Sequence, residues 1–261
     1  MTMIRVMTFN LRYGQAEDGD NHWHKRKALA LSRIHAFAPD LLGLQECRDD
    51  EQAEFVKRQL PDYEFYGEHR GGDGGTTLEM APLLFRRAAF QLLRSGCFWL
   101  SDTPDVAGSK GWDADFPRTA TWAELLHRPS GQPLIFLNTH FDYRPQAIDG
   151  AARVLAHWMK PSAPNQRLIL TGDFNTHRAS AAYRLLTAEG VLFDAYCAVH
   201  PGGAADATFH AFGQPEQFEP IDWILASPHF RVVDAAIDRT QAGHVYPSDH
   251  YPVTAVLEVS C

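Results

Sequence analysis

The sequence predicts an α+β domain in which two β-sheets pack on each other and helices cover them. Short apolar runs bounded by turn-forming residues recur along the chain, whereas helical periodicity is confined to a few interspersed stretches. Most of these runs end in a short polar triplet, and polar groups at strand ends can converge on one rim. With 261 residues and neither a repeat nor a linker, residues 1–261 are expected to form a single domain.

The first strand spans residues 4–9. A polar loop at 15–21 leads into a helix running to about Ala38, in which Ala28, Leu29, Leu31, Ile34 and Phe37 recur at helical spacing. Pro39-Asp40 ends it, and Leu41-Leu42-Gly43-Leu44 is the second strand. Residues 51–60 form a helix closed by Pro61, Gly71-Gly72-Asp73-Gly74-Gly75 a flexible loop, and residues 82–85 and 90–100 strands. The 101–117 segment, with Pro104, Gly108, Gly111 and Pro117, is long and irregular, a kind of loop that is often functional. Strands are expected at 119–126 and 134–138, a helix from about Ile148 to Met159, a strand at Leu168, a helix over 179–189, and strands at 222–226 and 252–259.

A formal charge of -8 argues against broad attraction to duplex nucleic acid, which calls for a cationic face, but is compatible with a local phosphate site. Cys47, Cys97, Cys197 and Cys261 are far apart and form no CxxC pair, so no zinc knuckle or disulfide framework is indicated and a reducing cytoplasm fits best. The first ten residues run into a strand without an apolar signal segment, and no run approaches membrane-spanning length. The protein is expected to be soluble, with no membrane partner and no obligate protein partner.

The polar signatures are Thr8-Phe9-Asn10, Leu44-Gln45-Glu46, Asn138-Thr139-His140, Gly172-Asp173-Phe174-Asn175, Ile221-Asp222 and Ser248-Asp249-His250. They offer the carboxylates Glu46, Asp173, Asp222 and Asp249, the amides Asn10 and Asn175, and the imidazoles His140 and His250. Carboxylate and amide oxygens suit a hard cation, Mg²⁺ or Mn²⁺, whereas zinc prefers nitrogen and sulfur. Phosphoryl chemistry is the natural use: metal neutralises developing charge, histidine donates to an oxygen, and carboxylate orients or deprotonates water. Singly, an Asn or Asp at a strand end commonly caps a turn. Six signatures together are harder to assign to turns.

In this order the signatures resemble the endonuclease/exonuclease/phosphatase superfamily, a likeness that runs from Asn10 to His250 and is most specific at Gly-Asp-Phe-Asn and Ser-Asp-His. The resemblance implies a four-layer αββα sandwich of two mixed sheets flanked by helices, with the site at one end of the sheets. It implies that Glu46 is the principal metal ligand and that Asn10 and Asp249 are direct or water-mediated partners. Asp173 would orient and activate the attacking water, Asn175 would help hold the phosphoryl group, and His250 would stabilise the transition state from the opposite side. Asp222 would pair with His250, as carboxylates do for catalytic imidazoles; its other reading is a strand cap. His140 matches the superfamily's other histidine and Glu79 its acidic partner, a pairing that would keep the imidazolium charged near neutral pH. Otherwise Glu79 is a solvated surface residue.

Trp99-Leu100-Ser101-Asp102-Thr103-Pro104-Asp105, Gly108-Ser109-Lys110-Gly111-Trp112-Asp113 and Pro117-Arg118-Thr119-Ala120-Thr121-Trp122 resemble bacterial metal-dependent hydrolases allied to the nocturnin-like branch. Arg118 is there either a bidentate phosphate clamp or a structural ion-pair residue. Residues 108–111 lack the spacing of a Walker loop. Phe141-Asp142-Tyr143-Arg144-Pro145-Gln146 departs from the pattern of relatives and is a candidate for a different pocket edge. His22-Trp23-His24-Lys25-Arg26-Lys27 reads as a charged helix start, and Phe98, Trp99, Trp112 and Trp122 as core residues rather than a base-stacking platform. The leading expectation is a Mg²⁺- or Mn²⁺-dependent phosphoesterase acting on a phosphorylated small molecule. A nuclease or deadenylase for short single-stranded nucleic acid comes second. A non-catalytic phospholigand-binding module comes third, disfavoured because Asp173 and His250 are both retained.

Overall fold

The computed structural model describes residues 2–71, 77–160, 166–202, 207–214 and 220–259; of the glycine-rich loop expected at 71–75, only Gly71 falls among them. Strand β1 (Met3–Asn10) sends Ile4 and Val6 into one core and Met7 and Phe9 into another, because alternate side chains leave opposite faces and both faces are covered. Helix α1 (Trp23–Phe37) closes on Ala38, whose left-handed backbone turns the chain towards Pro39 and β2 (Leu41–Gln45). Next come β3 (Cys47–Arg48), α2 (Glu51–Gln59), β4 (Tyr63–Tyr66), β5 (Glu79–Met80), β6 (Leu83–Arg86), β7 (Phe90–Trp99), β8 (Thr119–His127) and β9 (Gln132–His140). Helix α3 (Pro145–Met159) opens with proline in its first turn, where the missing N–H costs nothing, and leads to β10 (Arg167–Asp173). The remaining elements are α4 (Ala181–Leu186), β11 (Phe193–Asp194), α5 (Ala195–Val199), β12 (Asp222–Ala226), β13 (Phe230–Ile237) and β14 (Val253–Val259).

Two six-stranded mixed sheets result, in the orders β13-β14-β1-β2-β6-β4 and β11-β12-β10-β9-β8-β7. Each holds one parallel pair, β1 with β2 and β9 with β10, linked by a helical crossover. The inner faces share a core that includes Val6, Leu41, Phe136, Ile169, Ile224 and Leu257. Trp23, Leu31 and Val56 of α1 and α2 cover the outer face of the first sheet, and Leu155 and Leu186 of α3 and α4 that of the second. This is the four-layer sandwich. Ligand sites in such sheets gather outside the carboxyl ends of parallel strands. Here those ends are Asn10, Gln45, His140 and Asp173.

Beneath that end the sheets are joined by polar groups. Asn138 Nδ2 donates to the carbonyls of Leu44 (2.6 Å) and Pro82 (2.9 Å), while its Oδ1 accepts from Gln45 Nε2 (2.7 Å) and the Thr171 hydroxyl (2.9 Å). All four partners of a buried amide are therefore supplied by protein. Gly43 permits the approach: a Cβ there would lie 2.2 Å from Thr171 Oγ1 and 2.3 Å from Asn138 Oδ1.

Several expectations are corrected. The helix expected over 179–189 ends at Leu186, and a 3₁₀ turn at Ala188–Gly190 follows, with Gly190 at a φ of 70°. Strand β13 was not expected. Arg26 is not on a solvated face: it is fully buried and donates to the carbonyls of Leu11, Arg12, Asn21 and Pro247. Phe98 and Trp99 are buried as expected, but Trp112 and Trp122 are only half-buried. Among the described residues, no helix is long and apolar enough to cross a membrane, and Cys47, Cys97 and Cys197 are free.

Candidate active site

The rim is assembled from the ends of the central strands. Asn10, the last residue of β1 and fully buried, donates through Nδ2 to Glu46 Oε1 (3.0 Å) and Asp173 Oδ2 (2.9 Å), spanning the two sheets. Its Oδ1 accepts the N–H of Arg12 (2.9 Å). Glu46 follows β2 with a φ of 53°, a left-handed turn that breaks the strand just where the carboxylate is needed. Its Oε2 accepts the N–H of Tyr13 (3.0 Å). Burial opposes ionisation of Glu46, but the charge of Arg12, the amide of Asn10, His250 and the Tyr13 N–H outweigh it and hold the carboxyl below its usual range. Arg26 ties the backbone after β1 to Pro247, which brings Asp249 alongside. Burial pushes the Asp249 carboxyl up, and neighbouring Glu46 adds to the effect.

Asp173 ends β10 opposite His140 of β9. Burial first, then Asp222, pushes its carboxyl up to about 7, against the pull of His250 and hydrogen bonds from Asn10 and the Asn175 N–H. Asn175 has a φ of 47° and sets its Nδ2 3.2 Å from His140 Nε2 and 2.9 Å from the Phe141 carbonyl. His250 Nδ1 meets Asp222 Oδ2 at 2.9 Å, and its Nε2 lies 3.7 Å from Asp173 Oδ2. Burial alone would discharge this imidazole, but Asp222 and Asp173 lift it to about 10. It is an imidazolium at neutral pH, and Asp222 does more than cap a strand.

The expected partnership of Glu79 with His140 is corrected. Glu79 Oε1 accepts Arg70 Nη2 at 3.1 Å in a buried ion pair, so Glu79 is not a surface residue. Burial, with Arg118, Arg70 and His250 nearby, drives His140 well below the usual histidine range. His140 is therefore neutral, 3.5 Å from Asp173 Oδ2. Arg118 forms the expected ion pair and also holds donors in reserve. Its Nε is 3.5 Å from Asp142 Oδ2, while Nε and Nη1, although buried, have no hydrogen-bond partner among the described residues. Such groups call for an acceptor.

These groups surround a cavity of about 340 Å³. Every expected site residue lines it except Asn10 and Asp222, which stand behind and position those in front. Arg12, Tyr13, Arg70, Phe116 and Phe209 also line it without having been singled out in the sequence. The Phe116 ring lies 4.8 Å from the Arg70 guanidinium and 5.7 Å from that of Arg118. Tyr143 supplies the edge expected from 141–146, whereas Arg144 pairs with Asp115 at 3.0 Å.

The residues fit a hard divalent cation. Glu46 and Asp249 both line the cavity and offer only oxygen, and the rise that Glu46 causes in the Asp249 carboxyl is a repulsion a cation would relieve. Asp173, Asp222 and His250 also place one ligand atom each within 4.8 Å of one another. That group is already balanced by the imidazolium between its carboxylates.

The profile of the Endonuclease/Exonuclease/phosphatase family matches residues 7–250. The fold is similar to that of an endonuclease/exonuclease/phosphatase from Bacteroides vulgatus, with a TM-score of 0.89, 34% identity and 100% of both chains covered. It is also similar to the mannosyl-6-phosphatase of Bacteroides thetaiotaomicron VPI-5482, with a TM-score of 0.85, 30% identity, and 98% of this chain and 99% of that one covered. An uncharacterized protein of Acanthamoeba polyphaga mimivirus is 30% identical over 170 residues; the match spans 59% of this chain and 59% of the length of that protein.

Proposed function

Because this chain belongs to the Endonuclease/Exonuclease/phosphatase family, whose members are hydrolytic enzymes, we propose that it is a Mg²⁺- or Mn²⁺-dependent phosphoesterase hydrolysing a small phosphodiester or phosphomonoester by in-line attack of water. It would act as one catalytic domain over residues 1–261, and its free cysteines fit a reducing cytoplasm. The observation that carries the reading is Asp173 placed between a neutral His140 and a charged His250, at 3.5 and 3.7 Å.

Asp173, fixed by Asn10 and the Asn175 N–H, aligns the attacking water and takes its proton. Asn175 and His140 hold phosphoryl oxygens, and Arg118 directs its unpaired N–H groups to the same anion. His250 donates to the developing charge, and Asp222 keeps its Nδ1 proton and ring orientation. Glu46 and Asp249 would hold the metal with Asn10 nearby. When bound, it supplies neutralisation of the phosphoryl charge. The cavity of about 340 Å³ and the charge of -8 favour a small substrate over a duplex. The relative named as a mannosyl-6-phosphatase makes sugar phosphates the first class to assay.

The test is a panel of sugar phosphates, nucleotides, cyclic nucleotides, phospholipid headgroups and short oligonucleotides with Mg²⁺ or Mn²⁺, run beside plasmid DNA. We expect hydrolysis of at least one small phosphoester, lost on chelation, and little nicking of plasmid. Efficient Asp173-dependent plasmid cleavage with a silent panel would transfer the assignment to a nuclease.

Asp222→Asn removes the charge that most raises His250. The imidazolium form survives up to about pH 10 in the intact site and is lost as pH rises through that value. Without Asp222 the loss comes earlier, so the alkaline limb of the rate profile is expected at lower pH, with reduced turnover. An unmoved limb at full activity would leave Asp222 with no part in the reaction.

A further inference from the structure

A second depression, of about 690 Å³, lies where β7 and β8 meet α3 and the 101–117 segment, and it shares no lining residue with the catalytic cavity. We propose that this groove is a binding site for an uncharged saccharide. Its floor is aromatic. Trp112, Trp122 and Trp158 line it, each only half-buried. Trp158 stacks on Phe98 with centroids 5.4 Å apart and stands 5.5 Å from Trp122. Trp112 is held in the left-handed region at a φ of 53°, which a bulky side chain rarely adopts. Its ring lies directly on α3, where a Cβ on Gly150 would come within 2.2 Å of it. The rings are thus fixed by the protein before any ligand arrives.

The polar groups around these rings are unspent. None of the three indole N–H groups donates to another described residue, although indoles packed in this way usually find an acceptor. The side chains of Asp102, Asp105 and His157 line the groove without a hydrogen bond or ion pair among the described residues, and Arg153 places its guanidinium 5.8 Å from the Trp112 ring. A sugar ring matches both features, since its C–H face packs on indole and its hydroxyls donate to carboxylate and accept from guanidinium or indole N–H. A purely apolar partner would bury these polar groups unpaired. A nucleic acid would bring phosphate towards Asp102 and Asp105 on a chain of charge -8.

The groove holds three of the six tryptophans; the others, Trp23, Trp99 and Trp223, are buried. Intrinsic fluorescence therefore reports on it, independently of hydrolysis. The full chain would be titrated with maltotriose, cellotriose and mannotriose at millimolar concentration, and separately with oligothymidylate. We expect a saturable change in emission with at least one saccharide, absent in Trp112→Ala. Binding should be about tenfold weaker in the Asp102→Asn/Asp105→Asn double variant, whose exposed substitutions preserve the fold by circular dichroism. No response to any saccharide, undiminished affinity in the double variant, or saturable binding of oligothymidylate alone would each overturn the proposal.

Discussion

Asp173→Asn and His250→Ala are each expected to lower turnover by at least about a hundredfold, the scale on which a general base or a charge-stabilising donor contributes. Asp173→Asn keeps the shape of the side chain, and its remaining oxygen can still accept from Asn10, which donates to Asp173 Oδ2 at 2.9 Å. The loss is then one of proton acceptance and not of architecture. His250→Ala leaves Asp222 buried without its 2.9 Å partner, so some loss of thermal stability accompanies the kinetic effect. The check is kcat on the phosphoester found in the panel, for purified variants shown by circular dichroism and gel filtration to be folded. Near-wild-type turnover in either would refute the roles given to these residues.

The largest effect on stability is expected from Asn138→Ala, a position that touches no substrate. The substitution removes four buried hydrogen bonds between the sheets; the Pro82 carbonyl keeps the Leu44 N–H, the Gln45 amide keeps the Thr8 hydroxyl and the Thr171 hydroxyl keeps the Leu137 carbonyl. Each lost hydrogen bond costs about 0.5–1.5 kcal/mol, so the four together cost about 3 kcal/mol. Urea denaturation should show a lower midpoint with an unchanged slope. A loss below about 1 kcal/mol would mean that this amide is not what holds the sheets at their spacing.

The candidate residues were legible because most sit where an apolar run ends, while Asp222 opens β12 and His250 precedes β14; the four-layer arrangement followed from the family resemblance of their order. Asn138 was visible only as part of a motif. Its work as a bracket between sheets depends on Gly43, whose lack of a side chain says nothing until both sheets are in place. Strand β13 escaped notice because it is an edge strand with exposed Arg231, Val233 and Asp234, and a register shift between Val232 and Asp234 interrupts its alternation. Arg12 and Arg70 were illegible for another reason: an arginine in a loop looks like solvated surface until the fold closes a cavity around it. The mistaken charge on His140 follows directly, since Arg70 takes the carboxylate that His140 was expected to have. The half-buried tryptophans likewise resembled core, and their partial exposure appears only once Trp112 is packed on Gly150.

The place of β1 in its sheet has a consequence for how the protein comes into being. β1 lies between β2 and β14, pairing Val6 with Leu41 on one side and with Ala255 on the other. On a ribosome, β2 reaches it early, but its second edge stays open until β14 has been made. An apolar strand with an unpaired edge is a template for misassembly, so the nascent first sheet must be shielded or docked provisionally until β14 arrives. Asp249 and His250 arrive immediately before the strand that closes the gap. Completion of the candidate site and the sealing of the first sheet therefore depend on the same short stretch of chain, residues 249–259.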